Sequence, residues 1–160
     1  MSPEVVQLVA ILDQAYNTPS WHGTNLRGSL RRVTPLQAAW RPGPARHNIW
    51  EIALHAAYWK YAATRRLTGG ARGSFPLKGS NWFRRPEDPG PLGKTWKADL
   101  ALLDAAHDAL RGVVMGLPAT ELPRIPPGMK VSNFALLSGV AAHDVYHAGQ
   151  IQLLKRLQRR

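Results

Sequence analysis

The 160-residue sequence predicts an all-α fold, a helix bundle of four main helices joined by long irregular connections, forming one domain over residues 1–160. Three observations predict it. Apolar residues recur at the three-and-four spacing of a helix in four long stretches. Cap residues, prolines and glycines punctuate those stretches where helices should start and stop. Convincing strand alternation is absent, and only Val131 with its neighbours could make one short extended stretch.

The first helix is read over 4–16 from the stripe Val5, Leu8, Val9, Leu12 and Tyr16, and Pro19 interrupts the chain beyond it. A second helical piece is expected over about 21–32, with Trp21, Leu26 and Leu30. Thr34 before Pro35 is an N-cap ahead of a proline at the first helical position, opening a short turn through Trp40. RPGPAR, 41–46, reads as a loop. Asn48 can cap the next helix, with Glu51 three residues on as in a capping box, and Gly69-Gly70 stops it after about Leu67. Residues 70–93 are rich in glycine and proline yet hold Trp82 and Phe83, so part of this connection should pack and wall a pocket. The third long helix covers about 94–117, with Trp96, Leu100, Leu103, His107 and Leu110 on one side. After a proline-rich loop, Ser132 or Asn133 opens the last helix, which runs to about Arg159.

Composition narrows the function. Twenty-one Lys and Arg against ten Asp and Glu give a net charge of +11. Such a balance favours acidic partners. The basic residues, however, fall in short clusters (Arg27, Arg31 and Arg32; Arg84 and Arg85; Lys155, Arg156, Arg159 and Arg160) that are not interleaved with several aromatics. Nucleic acid is therefore disfavoured as a partner. The absence of cysteine excludes disulfides, thiolate ligands and a cysteine nucleophile. No apolar run approaches the roughly 18 residues that span a bilayer, so no membrane is expected. The opening MSPEVVQLVAILDQ lacks a basic segment before its apolar residues, which argues for a cytoplasmic protein. Phosphate-binding loops, nucleophile elbows and EF-hand loops are missing too. Most of the six tryptophans are expected in the core, with Trp82 as a pocket lid.

The histidines carry the sharpest signal. HDVYH puts His143 and His147 one helical turn apart on the same face, the geometry in which two imidazoles chelate one metal ion. Val140, His143, His147, Ile151 and Leu154 form one inward stripe, and Ile52, His55, Ala56, Trp59 and Ala63 form another. His55 can thus face the last helix across the core. Three neutral histidines make an open site for zinc, nickel, iron or manganese, whereas the plain alternative is inward histidines bonded to carbonyls. Around them, Glu51 is either an acceptor for an imidazole N–H or, preferably, the capping-box glutamate. Asp144, turned about 100° from His143, reads as a neighbour of the ligands or a surface group. Gln150 could point into the same cavity. His107 is an extra-ligand candidate or a satisfied core histidine. His22 and His47 could face the mouth of the site, with His47 preferred as a cap or surface residue. For a general base, only Glu51, Asp144 and His22 are candidates.

HNIWEIALHAAYWKY at 47–61 and GVAAHDVYHAGQIQLLK at 139–155 resemble the DinB/YfiT-like superfamily of metal-dependent proteins. WHGTNLRGSL at 21–30, AAWRPGPARHNIW at 38–50 and the SNW at 80–82 look like the same branch. The resemblance implies an up-down-down-up four-helix bundle, often a homodimer, with a metal held by His55, His143 and His147. It implies either a metal-dependent hydrolase or a transferase using a low-molecular-weight thiol as co-substrate, acting on a small molecule. Two other readings stay open: a non-catalytic bundle that binds an acidic partner or nucleic acid through its basic surface, and a purely structural metal.

Overall fold

The structure is a computed structural model that describes residues 1–85 and 92–159. Regular structure among the described residues is entirely helical: α1 (Pro3–Tyr16), α2 (Leu26–Ser29), α3 (Pro35–Ala39), α4 (Ile49–Thr68), α5 (Leu92–Met115), a single 3-10 turn (Ala119–Glu121) and α6 (Asn133–Leu157).

The long helices start and stop for local reasons. Ser2 Oγ accepts from the Val5 N–H, with Pro3 opening α1. Asn48 caps α4 by accepting the Glu51 N–H at 2.8 Å, while its amide donates to the Ala39 carbonyl at 3.1 Å. The reciprocal half of the expected capping box is absent there, because the Glu51 carboxylate is taken up by Arg41 and His47. A complete capping box forms instead between Thr34 and Gln37 at the start of α3. Gly69 closes α4 at φ 69°, a left-handed conformation that glycine adopts without strain.

Two expectations fail locally. The piece read over 21–32 is helical only over Leu26–Ser29. Gly23 sits at φ 94°, and Asn25 Oδ1 accepts the Gly28 N–H, so the cap delays the helix until Leu26. Trp21 is consequently fully exposed rather than in the core, although Trp50 and Trp96 are buried. Val131 lies exposed in a bend before the Ser132 cap, not in an extended stretch.

Packing joins α4 to α5 and α6, and α1 to α5 and α6. The apolar interior falls into two clusters. One gathers Trp50, Leu54, Trp96, Leu103 and Ile151, and the other gathers Leu8, Leu12, Leu110 and Leu137. Where each helix passes from one cluster to the other it carries a buried polar residue: Lys60 on α4, His107 on α5 and Asp144 on α6. The Lys60 ammonium donates to the Asp144 carboxylate and lies 4.8 Å from the Tyr16 ring centroid. His107 stacks on the other partner of this layer, Tyr16, at 3.9 Å between centroids. Its Nε2 is 3.4 Å from the Asp13 carboxylate but outside hydrogen-bond geometry, so both ring nitrogens lack a bonded partner. No helix among the described residues is long and apolar enough to cross a membrane.

Candidate metal centre

Helix α4 brings His55, and α6 brings His143 and His147, to one point. The three side chains each offer a ring nitrogen within 4.8 Å of the others. His143 Nε2 lies 3.0 Å from His55 Nε2 and 3.0 Å from His147 Nε2. Each outer ring is fixed by its far nitrogen. His55 Nδ1 donates to the Asn81 carbonyl at 2.8 Å, and His147 Nδ1 donates to Gln150 Oε1 at 2.7 Å. A neutral imidazole has one N–H, so the Nε2 atoms of His55 and His147 both present lone pairs to His143. The single N–H that His143 Nε2 could carry satisfies only one of them. A cation between the rings satisfies all three. Two nitrogens bound at about 2.1 Å and separated by 90–110° lie about 3.0–3.4 Å apart, which the 3.0 Å spacings match.

Electrostatics agree with a neutral donor set. Burial pushes the pKa of His55 down to about 4 and that of His143 to about 3, and His147 is lowered as well. For His143 the neighbouring imidazoles and Lys60 add to the effect of burial. The rings therefore offer lone pairs, not charges, at neutral pH.

Trp82, expected as a pocket lid, lines the cavity of the histidines. Its indole lies between two imidazoles, 3.9 Å from the His55 ring and 3.5 Å from the His47 ring, nearly parallel to both. Asn81, at φ 66°, positions this indole: its carbonyl takes the His55 N–H, and its side-chain oxygen accepts the Trp59 indole N–H at 2.9 Å. Residues 86–91 of the wall expected over 70–93 lie outside the described residues.

The surrounding candidates sort differently. Gln150 bonds His147 directly and lines the cavity. The Glu51 carboxylate bonds Arg41 and His47 and none of the three histidines. Burial alone would raise its pKa, but its bonds to Arg41 and to His47 Nδ1 hold the carboxyl below the usual range. Asp144 is neither beside the ligands nor on the surface. Because α6 packs on both α1 and α4, the direction 100° from His143 is also interior, and Asp144 pairs there with Lys60. His107 belongs to the same polar layer and not to the histidine cluster. His22 is exposed and does not line the cavity. His47 is the reverse case: it lines the cavity, stacked on Trp82. Sequence reasoning missed Arg41, Lys60 and Asn81, whose roles depend on partners 10, 84 and 26 positions away.

A 750 Å³ cavity opens from the histidines, lined by the polar Arg46, His47 and Tyr146 and by the apolar Ile52, Leu153 and Leu157. Three protein donors beside such a space would leave coordination positions of a bound ion free for a small molecule.

A family model described as the DinB superfamily matches residues 20–151, which include all three histidines. The chain belongs to the DinB superfamily. No curated protein and no solved structure matches it. Within this DinB-superfamily chain, the match begins after α1 and ends inside α6, just past Gln150.

Proposed function

We propose that this chain is a metal-dependent enzyme acting on a small molecule, with His55, His143 and His147 holding a divalent transition-metal ion in an up-down-down-up four-helix bundle. The observation that carries the reading is the convergence of three Nε2 atoms, two of them with lone pairs facing His143 across 3.0 Å. The bundle topology is supported by pairwise contacts. Trp50 donates to Asp99, tying the first turn of α4 to the N-terminal third of α5. Asp13 meets Arg111 while Tyr16 meets Asp104, so α1 and α5 run oppositely. His55 meets His147 while Lys60 meets Asp144, so α4 and α6 do too.

A bound ion would supply Lewis-acid polarisation and would ionise a nucleophile near neutral pH, water for hydrolysis or a low-molecular-weight thiol for transfer. The chain itself supplies the rest. His47 lines the cavity with Nδ1 held 3.0 Å from the buried Glu51 carboxylate, which fixes the ring. Ile52, Leu153 and Leu157 give the cavity an apolar lining and Arg46 adds a cation, so the cavity suits an amphipathic molecule with an anionic end. A cytoplasmic single-domain protein remains part of the proposal. So does a homodimer, supported by exposed Tyr146 and Leu153 on α6.

Calorimetric titration of the chelator-stripped protein with zinc tests the reading. One site per chain is expected, weakened at least 100-fold in His147→Ala. Unchanged stoichiometry and affinity in that variant would place any metal elsewhere.

A further inference from the structure

Away from the histidines, the second half of α4 and the segment 72–80 enclose another cavity, of 540 Å³. Its wall has two chemistries. Tyr58, Tyr61 and Phe75 form an aromatic group, with Phe75 5.4 Å from Tyr58 and 5.3 Å from Tyr61 between centroids. Arg65, Arg66, Arg72 and Lys78 form a cationic group. Ser74 anchors the segment over α4, donating from its N–H at 3.2 Å and its hydroxyl at 3.1 Å to the Tyr61 oxygen. Glycines at φ 97° (Gly73) and 108° (Gly79) supply the turns on either side.

The distribution of charge makes this cavity unusual. Among the described residues, Asp13, Glu51, Asp99, Asp104, Glu121 and Asp144 are each committed to an Arg or Lys elsewhere. Among the described residues, no acidic residue lines the cavity and its four cations have no ion pair. Like charges gathered on a low-dielectric wall focus a positive potential into the space between them. Guanidinium forks match phosphate oxygens in pairs, and an aromatic wall stacks planar rings.

We propose that this cavity is a second ligand site, separate from the histidine centre, which takes a small planar molecule carrying a phosphate-type dianion. The site is wired to the histidines. Trp59 and Arg66 line it and also line a 510 Å³ cavity that His55 and His143 share, with the Arg66 guanidinium 5.5 Å from the Trp59 ring centroid. The Trp59 indole in turn bonds Asn81, whose carbonyl orients His55. A ligand that orders Trp59 and the 72–80 segment therefore changes how firmly His55 is held, and by linkage metal and ligand alter each other's affinity.

Adenosine 5′-monophosphate is the probe, titrated calorimetrically into the metal-loaded protein, beside adenosine and inorganic phosphate. The expected result is saturable binding of one nucleotide per chain, with adenosine and phosphate each at least ~10-fold weaker. Arg65→Ala/Arg72→Ala should weaken the nucleotide at least ~10-fold again while leaving helicity and metal content unchanged. Arg31→Ala, on the exposed surface, should change nothing. Absence of saturable binding, equal affinity in the double variant, or phosphate binding as tightly as the nucleotide would overturn the proposal. In the His55→Ala/His143→Ala/His147→Ala variant a shifted but saturable nucleotide affinity is expected from the linkage, whereas complete loss of saturable binding would overturn the proposal, because the nucleotide would then occupy the histidine centre.

Discussion

Replacing Lys60 by Met tests the buried polar layer. Lys60 is 0% exposed and Asp144 1%. One carboxylate oxygen of Asp144 bonds the Lys60 ammonium and the other has no partner, so the substitution leaves a buried carboxyl with no hydrogen bond. Removing one member of a buried pair costs about 3–5 kcal/mol. The pH dependence identifies the cause. Burial already pushes the Asp144 pKa from 3.8 up to about 6 against the pull of Lys60, and losing the ammonium pushes it higher. A raised carboxyl pKa means that the folded state holds a proton the unfolded state has released. Stability therefore falls as pH rises through the window between the unfolded and folded values. The extra penalty of Lys60→Met accordingly opens above pH 6 and grows by about 1.4 kcal/mol per pH unit until the new pKa is passed. Urea unfolding of the metal-stripped protein at pH 5.5 and 8.5 reads it. A penalty below about 1 kcal/mol at pH 8.5, or one equal at both pH values, would refute the reasoning. Lys60→Met/Asp144→Leu should recover most of the loss, since a packed apolar pair needs no partner.

Other perturbations have separate readouts. Gln150→Leu removes the acceptor that orients His147 and should weaken metal binding about 10–100-fold in competition with a chromophoric chelator, with little change in helicity. Asn48→Ala removes both the α4 cap and the bond to the Ala39 carbonyl, and should cost about 2 kcal/mol in urea unfolding. His107, with its pKa lowered to about 4 by burial and then by Lys60, stays neutral while the unfolded chain protonates near 6.5. The metal-free protein should thus lose stability as pH falls from about 6.5 to 4, and His107→Leu should reduce that loss by up to about 3 kcal/mol, measured from unfolding midpoints across the window.

The long helices were legible because each buries one stripe at helical spacing: Val5, Leu8, Val9, Leu12 and Tyr16 are all buried, as the pattern of α1 required. The histidine trio was legible for the same reason. Two stripes, each with histidine in an apolar row, can meet only where the rows meet. Trp82 was readable as an aromatic stranded in a glycine-rich loop. What stayed hidden was set by tertiary pairing. Glu51 has the spacing of a capping-box residue, but a charged acceptor beside Arg41 gains more from a bidentate guanidinium than from a backbone N–H. Asp144 looked peripheral because a single amphipathic stripe was assumed for α6, which in fact buries a second face on α1. Lys60 did leave a signal, a lysine between Ala56 and Ala63 on a buried row, but only its partner explains it. Trp21 shows the converse, an apolar residue at helical spacing that a cap at Asn25 leaves outside the helix and in solvent.

Elemental analysis of protein purified without a metal-chelating tag tests the central claim most directly, beside the His55→Ala/His143→Ala/His147→Ala variant. Near-stoichiometric zinc, nickel, iron or manganese in the wild type and its loss from the variant are the predicted result. Equal metal in both proteins, or none in either after reconstitution, would contradict a metal centre at these three histidines.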